Sequence, residues 1–352
     1  MYINGCGAIS PQNTCGDIFP FPVSNSRTTA LACREPDYKL VIPPKVSRRM
    51  SRVVKMGVTA ALTALKEAEL ETVDAVLAGT GMGCMAETEK FLCAITEDNE
   101  NYLNPAPFIH STHNTISSQI ALLLKCTGYN QTFVHGPASF ESALIDGMML
   151  AEEGIHENLL IGGIDEMTPN LNRILKRFGL WKRQPIPNLD LMESQNKGTL
   201  AGEGASFFLL QQQPNTTTYA RLADVAISPQ LRHQSDEIAY INDFLEKSKL
   251  SPDHLDLCLL GKNGDSRIDS SYKALENRIQ QTCPTSAYKH LCGEYATASA
   301  FAMWLACHCL KSQQVPDYLA HHDPVGDHIN SVLIINRFIN NRISLILLCA
   351  HQ

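Results

Sequence analysis

The chain has 352 residues, enough for one large domain or two fused ones around a sizeable core, and its 44% hydrophobic and 18% charged residues are ordinary for a globular protein. A net charge of −7 with no long basic run argues against a nucleic-acid partner. Twelve scattered cysteines without a CxxC pair suit neither a zinc site nor a disulfide scaffold, and they read as small buried residues of a protein in a reducing cytoplasm.

The opening Met1-Tyr2-Ile3-Asn4-Gly5 has no basic segment followed by an apolar one, so no signal peptide is expected. Apolar residues at helical spacing predict a helix over Arg48 to Leu70. Ala75 to Gly81 is an apolar run closed by glycines, hence a buried strand running into a loop. Its Gly79-Thr80-Gly81-Met82-Gly83 lacks GxGxxG spacing and a ribose-binding acid, which argues against a nucleotide site. Prolines 105 and 107 predict a loop that includes His110 and His113, with a structural or pocket-lining role rather than a metal for these and His135. Thr115 to Lys125 is an amphipathic helix. A strand at Gln131 to Val134 leads through His135-Gly136-Pro137-Ala138 to a helix over Ser139 to Gly154. Further strands are expected at Asn158–Gly163 and Ala205–Leu210.

The polar, proline-containing stretch 211–218 reads as a linker, dividing the chain into residues 1–214 and 215–352. The alternation then restarts. A strand is expected at Asp256–Gly261, a helix at Ser271–Gln281, a long apolar helix at Gly293–Lys311 and a strand at Ser331–Ile335. His321-His322-Asp323, bracketed by prolines, reads as a solvated loop. The apolar tail Ile343–Ala350 is too short to span a bilayer and reads as a buried strand. Continuous apolar strands between helices imply a parallel or mixed sheet covered on both faces.

Four motifs in order resemble the β-ketoacyl synthase family. They are Arg48-Arg49-Met50-Ser51-Arg52 before an Ala-rich helix, Gly79–Gly83 followed by Glu87-Thr88-Glu89 and Phe91, Gly162-Gly163-Ile164-Asp165, and Gly202-Glu203-Gly204-Ala205. The resemblance implies a thiolase-like fold, an α/β five-layer αβαβα sandwich built from two similar halves, with no cofactor and no metal. It also implies a nucleophilic cysteine at the strand-to-helix turn. Placing Asp146 on the family's helix acid puts Pro137 there, and proline has neither a thiol nor a backbone N–H. The family's two histidines correspond to the turn Gly261-Lys262-Asn263-Gly264-Asp265, with Asn263 at the first position, and to Glu294 at the second. Lys289 fits the family's lysine and is placed to neutralise Glu294. The final glycine-rich loop becomes Asn336-Arg337-Phe338, keeping only its Asn and Phe. Phe140, His135, Phe338 and His113 are the pocket residues the resemblance suggests.

A carboxylate at Glu294 would repel the enolate of a decarboxylative condensation. The chain is therefore similar to chain-length-factor-type members, which lack the nucleophile and pair with an active ketosynthase and, through it, an acyl carrier protein. Tyr2–Gly5 and Ser111–Thr115 resemble members from aryl-polyene or flexirubin-type pigment clusters. The alternatives are an acyltransferase or thioesterase using Ser139 with His135 or His113 as base, Ser139 being otherwise a helix cap, and a homodimer that binds acyl groups without turnover. Glu294 has its own second reading, as a general base in some other reaction.

Overall fold

The computed structural model describes residues 1–14, 19–251, 254–279, 283–319, 328–338 and 340–351, apart from the side chains of Gln234 and Ala274. Ten strands among these residues form one mixed sheet. In the first half they are β1 (Tyr2–Ile9), β2 (Ala75–Gly79), β3 (Tyr129–Phe133), β4 (Asn158–Asp165) and β5 (Gly204–Gln211). In the second they are β6 (Ala220–Ile227), β7 (Leu257–Leu260), β8 (Thr285–Ala287), β9 (Ser331–Arg337) and β10 (Ile343–Cys349). The spatial order is 3-2-4-5-1 in the first half and 8-7-9-10-6 in the second. Strand directions repeat as well: β2 is parallel to β3 and β4, and β7 to β8 and β9, while the last and first strands of each half run antiparallel. The halves join where Tyr2 and Ile3 of β1 pair with Arg221 and Ala220 of β6.

The period-2 alternation of each strand sends successive apolar residues to different layers. Leu77, Ile161 and Phe208 face the middle together with Leu259, Ile334 and Ile346 of the other half. Two helices fill that middle layer, α5 (Ser139–Glu152) and α10 (Ala298–Ser312). Apolar residues all round α10 suit it to this position, since it has no solvent face. Val76, Leu160 and Phe207 face outward onto α1 (Arg52–Glu67) and α4 (Thr115–Leu124). Cys258, Leu333 and Leu347 face α7 (Gln234–Lys247) and α8 (Ser266–Ile279). The order is helix, sheet, helix, sheet, helix, the five-layer arrangement expected from the motifs.

Several local expectations are corrected. The first long helix starts at Arg52, because residues 48–51 form the turn after a short helical stretch at Pro44–Ser47. The segment holding His110 is helical, α3 (Pro105–His110): Asn104 caps Ala106 N at 3.0 Å, and Pro105 stands at the first helical position, where its missing N–H costs nothing. Between α1 and α3 lies α2 (Met85–Glu97). The helix after β4 is α6 (Pro169–Arg177). The long apolar helix expected from Gly293 starts only at Ala298, as α10, because the short α9 (Lys289–Cys292) ends at Gly293, which takes φ +76°. A Cβ there would lie 2.6 Å from Ala201 O, so that backbone approach needs glycine. The 211–218 stretch is not loose: Thr217 Oγ1 donates to Asn4 O at 2.7 Å and Thr218 Oγ1 to Asn4 Oδ1 at 2.6 Å. His321-His322-Asp323 lies outside the described residues. No helix among the described residues is long and apolar enough to cross a membrane.

Candidate functional site

The parallel strands of both halves end toward one region, and loops at such carboxyl ends are where open α/β folds place their chemistry. From the first half come the turn after β2, the turn after β3 and Asp165 at the end of β4. From the second come the loop 261–265 after β7, the α9 turn and the end of β9.

After β3 the chain makes a tight turn. Gly136 has φ +58°, Pro137 sits inside a short 3₁₀ segment, Gly136–Ala138, and α5 starts at Ser139. The turn is held from below: a Cβ on Gly79 would lie 2.5 Å from the Ser139 main chain, so the first loop and the helix start approach through glycine. Ser139 is fully buried. Its Oγ lies 2.9 Å from Thr80 O and 2.7 Å from Gly136 O, and it accepts from His135 N at 2.8 Å. This hydroxyl closes the turn and has no access to a substrate, which corrects the rival-nucleophile reading. The bases suggested for it are also elsewhere engaged. His135 is exposed and shares a 3.1 Å hydrogen bond with Ser142 Oγ, and exposed His113 packs on Gly83.

Pro137 lines a cavity of about 430 Å³ together with Asn263, Lys289, Glu294 and Phe338. Residues far apart in sequence thus meet at one wall. Lys289 Nζ donates to both Glu294 carboxylate oxygens at 2.9 Å, and Asn263 Nδ2 donates to Glu294 Oε2 at 2.7 Å. Lys289 is buried while Glu294 keeps 26% side-chain exposure. The carboxylate is therefore fixed as an anion at the cavity wall by a cation and an amide. The loop carrying Asn263 is itself held by Asp269, which accepts from Asn263 N and Gly264 N, both at 2.9 Å. Lys182, buried without a carboxylate at ion-pair distance among the described residues, donates to Gly264 O at 2.7 Å and Ser194 Oγ at 2.7 Å. Burial lowers its pKa.

A second cavity of about 230 Å³ shares Pro137, Trp181 and Glu294 and is walled by Met82, Leu171, Leu175 and Tyr295. It is the more apolar of the two. Glu166 also lines it, and burial pushes that carboxyl up to about 7. A further cleft of about 670 Å³ lies on the outer face of the second half between α7 and α8, and none of the strand-end site residues lines it.

Of the four pocket residues suggested, Phe338 lines the cavity. Phe140 does not: it is fully buried in the middle layer with its ring 5.9 Å from that of Phe208, because its position on α5 points it inward. His135 and His113 line neither cavity.

The motifs contain Asp165 and Glu203, but the sequence does not show that these carboxylates build the site's frame. Asp165 accepts from Gly81 N at 2.7 Å and from Thr297 N and Oγ1 at 2.9 Å, tying the halves together. Glu203 receives a bidentate pair from Arg52 at 2.6 Å and also accepts from Cys33 N and Met167 N at 2.9 Å. The signal was present, since Asp165 ends a strand two residues after Gly163 and Glu203 stands between two glycines. Trp181 was missed, and Asn336 was noted only as the surviving Asn of the final loop. Both are buried residues of the larger cavity's wall, and Trp181 Nε1 and Asn336 Oδ1 have no hydrogen-bond partner among the described residues.

Residues 25–221, more than half of the chain, match the family described as "Beta-ketoacyl synthase, N-terminal domain". No curated protein matches the sequence. Among solved structures, the ishigamide ketosynthase/chain length factor superposes with a TM-score of 0.80 at 18% identity, covering 100% of this chain and 99% of that one. A β-ketoacyl synthase from Burkholderia phymatum STM815 gives 0.82 at 14% identity, with 100% and 99% covered. The ketosynthase ApeO in complex with its chain length factor ApeC, from Xenorhabdus doucetiae, gives 0.76 at 16%, with 99% and 98% covered. At these identities the structural likeness speaks for the fold.

Proposed function

This chain belongs to the β-ketoacyl synthase family, and from that premise we propose that it is a non-condensing subunit of chain-length-factor type that pairs with an active ketosynthase. One observation carries the reading: Pro137 shares its cavity with Glu294, a carboxylate fixed by Lys289 and Asn263. In the family register these are the nucleophile position and the two histidine positions. Condensation needs a thiolate to take the acyl group, then donors for the oxyanion of the enolate. Proline supplies no nucleophile. A held anion at Glu294 opposes the second charge at short range in a partly buried site. Ser139 cannot substitute, because the main chain surrounds its hydroxyl.

The partner's place is argued from β3. Among the described residues β3 pairs only with β2, so its outer edge is free. α4 and α5 flank this strand on opposite faces of the sheet, and Leu122 and Met149 on them are exposed, as is Val134 just beyond β3. A free edge flanked by apolar side chains invites strand addition. Pairing with the equivalent edge of a ketosynthase would extend the sheet across a two-fold axis and bury well over roughly 2,000 Å². The acyl carrier protein would reach the complex through its acyl cargo, in fatty-acid-like or polyketide-like chain building in the cytoplasm. The likeness of Tyr2–Gly5 and Ser111–Thr115 favours an aryl-polyene or flexirubin-type pigment. The likeness of the fold to ketosynthases solved with their chain length factors supports a paired assembly over a lone enzyme.

Light scattering of the chain alone and after co-expression with a candidate ketosynthase from the same source tests the reading. The expected result is a homodimer alone, a heterodimer with the ketosynthase, and loss of both on Val134→Arg with Met149→Arg. A stable monomer at micromolar concentration, indifferent to the ketosynthase, would contradict it.

A further inference from the structure

The outer helices of the two halves pack differently although the sheets beneath them repeat. In the first half α1 and α4 close on each other. A Cβ on Gly57 of α1 would lie 3.3 Å from Ile116 Cγ2 of α4, and Met56 shares one apolar cluster with Ile116 and Ile120. In the second half α7 and α8 are tied in their N-terminal halves by Arg337, whose Nη1 donates to both Glu237 carboxylate oxygens at 2.5 Å and to Ser271 O at 3.2 Å. Farther along they have no contact comparable to that of α1 and α4 among the described residues, and the cleft of about 670 Å³ opens between them. It is apolar below and cationic at its mouth. Ile241, Leu245, Leu255, Leu275, Ile279 and Leu333 line it, all aliphatic. Leu245, Leu275 and Leu333 are each 1% exposed or less, so the floor is a narrow seam. At the rim Lys249 and Arg278 are exposed, and neither has a carboxylate within ion-pair distance among the described residues. Glu246 is the one acidic residue lining the cleft among the described residues, which leaves a positive rim on a chain of net charge −7.

We propose that this cleft binds a free long-chain carboxylic acid, as its anion, at a site separate from the strand-end cavities. The lining selects the ligand. No aromatic ring stands among the described residues that line it, and an aliphatic floor suits a flexible hydrocarbon chain whose methylenes leave water for apolar contact. The rim suits the head. A guanidinium and an ammonium offer a carboxylate charge-assisted hydrogen bonds, and their aliphatic stems extend the apolar wall. A polypeptide helix, about 10 Å across, does not enter a seam whose floor is this closed, whereas a single extended chain does. The inference stands apart from pairing with a ketosynthase, since none of the residues lining the strand-end cavities lines this cleft.

The test is isothermal titration of the full chain with octanoate, decanoate and dodecanoate below their micelle concentrations. The expected result is saturable binding to one site per chain, tightening by about threefold to fourfold for each added methylene. Lys249→Glu with Arg278→Glu changes two exposed side chains; it should weaken dodecanoate by about tenfold or more and turn the preference to dodecylamine. Leu250→Trp, at a half-buried lining position, should fill the cleft and weaken every acid by about tenfold or more. Absence of saturable binding, or unchanged dodecanoate affinity in both variants, would overturn the proposal. So would retention of the chain on phosphatidylserine vesicles free of fatty acid that is lost in Leu250→Trp, which would assign the cleft to a bilayer lipid. Loss of a homodimer in Leu250→Trp would overturn it as well, by assigning the cleft to a second copy of the chain.

Discussion

The two halves share one strand order and differ in what their strand ends carry. In each, a carboxylate gathers the loop after the second strand: Asp165 accepts from Gly81 N in the first half, and Asp269 accepts from Asn263 N and Gly264 N in the second. The sheet is rebuilt twice because apolar alternation and register specify it. The loops answer to no such constraint, so side chains such as Pro137, Asn263 and Glu294 can stand where the family's chemistry is expected without disturbing the layers. Frame and site are separable, and substitutions can show how far.

The largest effect should come from the frame of the first half. Glu203→Ala removes a buried carboxylate, leaves Arg52 without that partner and strips two backbone N–H groups of their acceptor. Urea denaturation should show a loss of about 3–5 kcal/mol. Glu294→Gln, at the site of the second half, should cost less, about 1–2 kcal/mol, because Glu294 is a quarter exposed and glutamine still offers Lys289 an oxygen. A larger loss from Glu294→Gln than from Glu203→Ala would break the distinction between frame and site.

Opposite pH responses sharpen it. Burial raises Glu166 to about 7 from an ordinary 4.5, so between those pH values the unfolded chain releases a proton that the folded one keeps. Stability contributed here falls as pH rises from 4.5 to 7, by roughly 3 kcal/mol, and is level above. Burial lowers His290 to about 4 from 6.5, so the unfolded chain binds a proton first and stability falls as pH drops from 6.5 to 4, by a similar amount. The two windows overlap between pH 4.5 and 6.5 and offset each other there, so across that range stability, read from denaturation midpoints, should rise with pH in Glu166→Gln and fall with pH in His290→Gln. The reverse assignment would contradict these environments.

The smallest effect is expected from Pro137→Cys. It should change stability by less than about 1 kcal/mol, since the turn is exposed at Pro137. It should also give no malonyl decarboxylation, because Asn263 and Glu294 remain. Decarboxylation by this single variant would show that the second half's site is misassigned.

The fold was legible because its signals are local. Glycine-closed apolar runs marked the strands, and the motifs near Arg52, Gly79, Asp165 and Glu203 fell in order. Errors arose where one residue decides a backbone turn. Gly293 ends a short helix and delays the long one, expected from that residue, to Ala298, and Pro105 starts a helix where proline was read as a loop. At the site, Lys289 and Glu294 are five residues apart, so their pairing could be read from the chain. Asn263, 31 residues from Glu294, and Arg52, 151 residues from Glu203, become partners only through the fold. Phe140 was misread because its place beside the turn said nothing of its direction, which α5 sets toward the middle layer.

The central claim is that this subunit pairs with a ketosynthase and takes no acyl group itself. Native and intact-mass spectrometry of the co-expressed pair, after exposure to an acyl-loaded carrier protein, tests it most directly. The account predicts a one-to-one complex with the acyl adduct on the ketosynthase alone. A stoichiometric adduct on this chain, at Ser139 or at any cysteine, would contradict it.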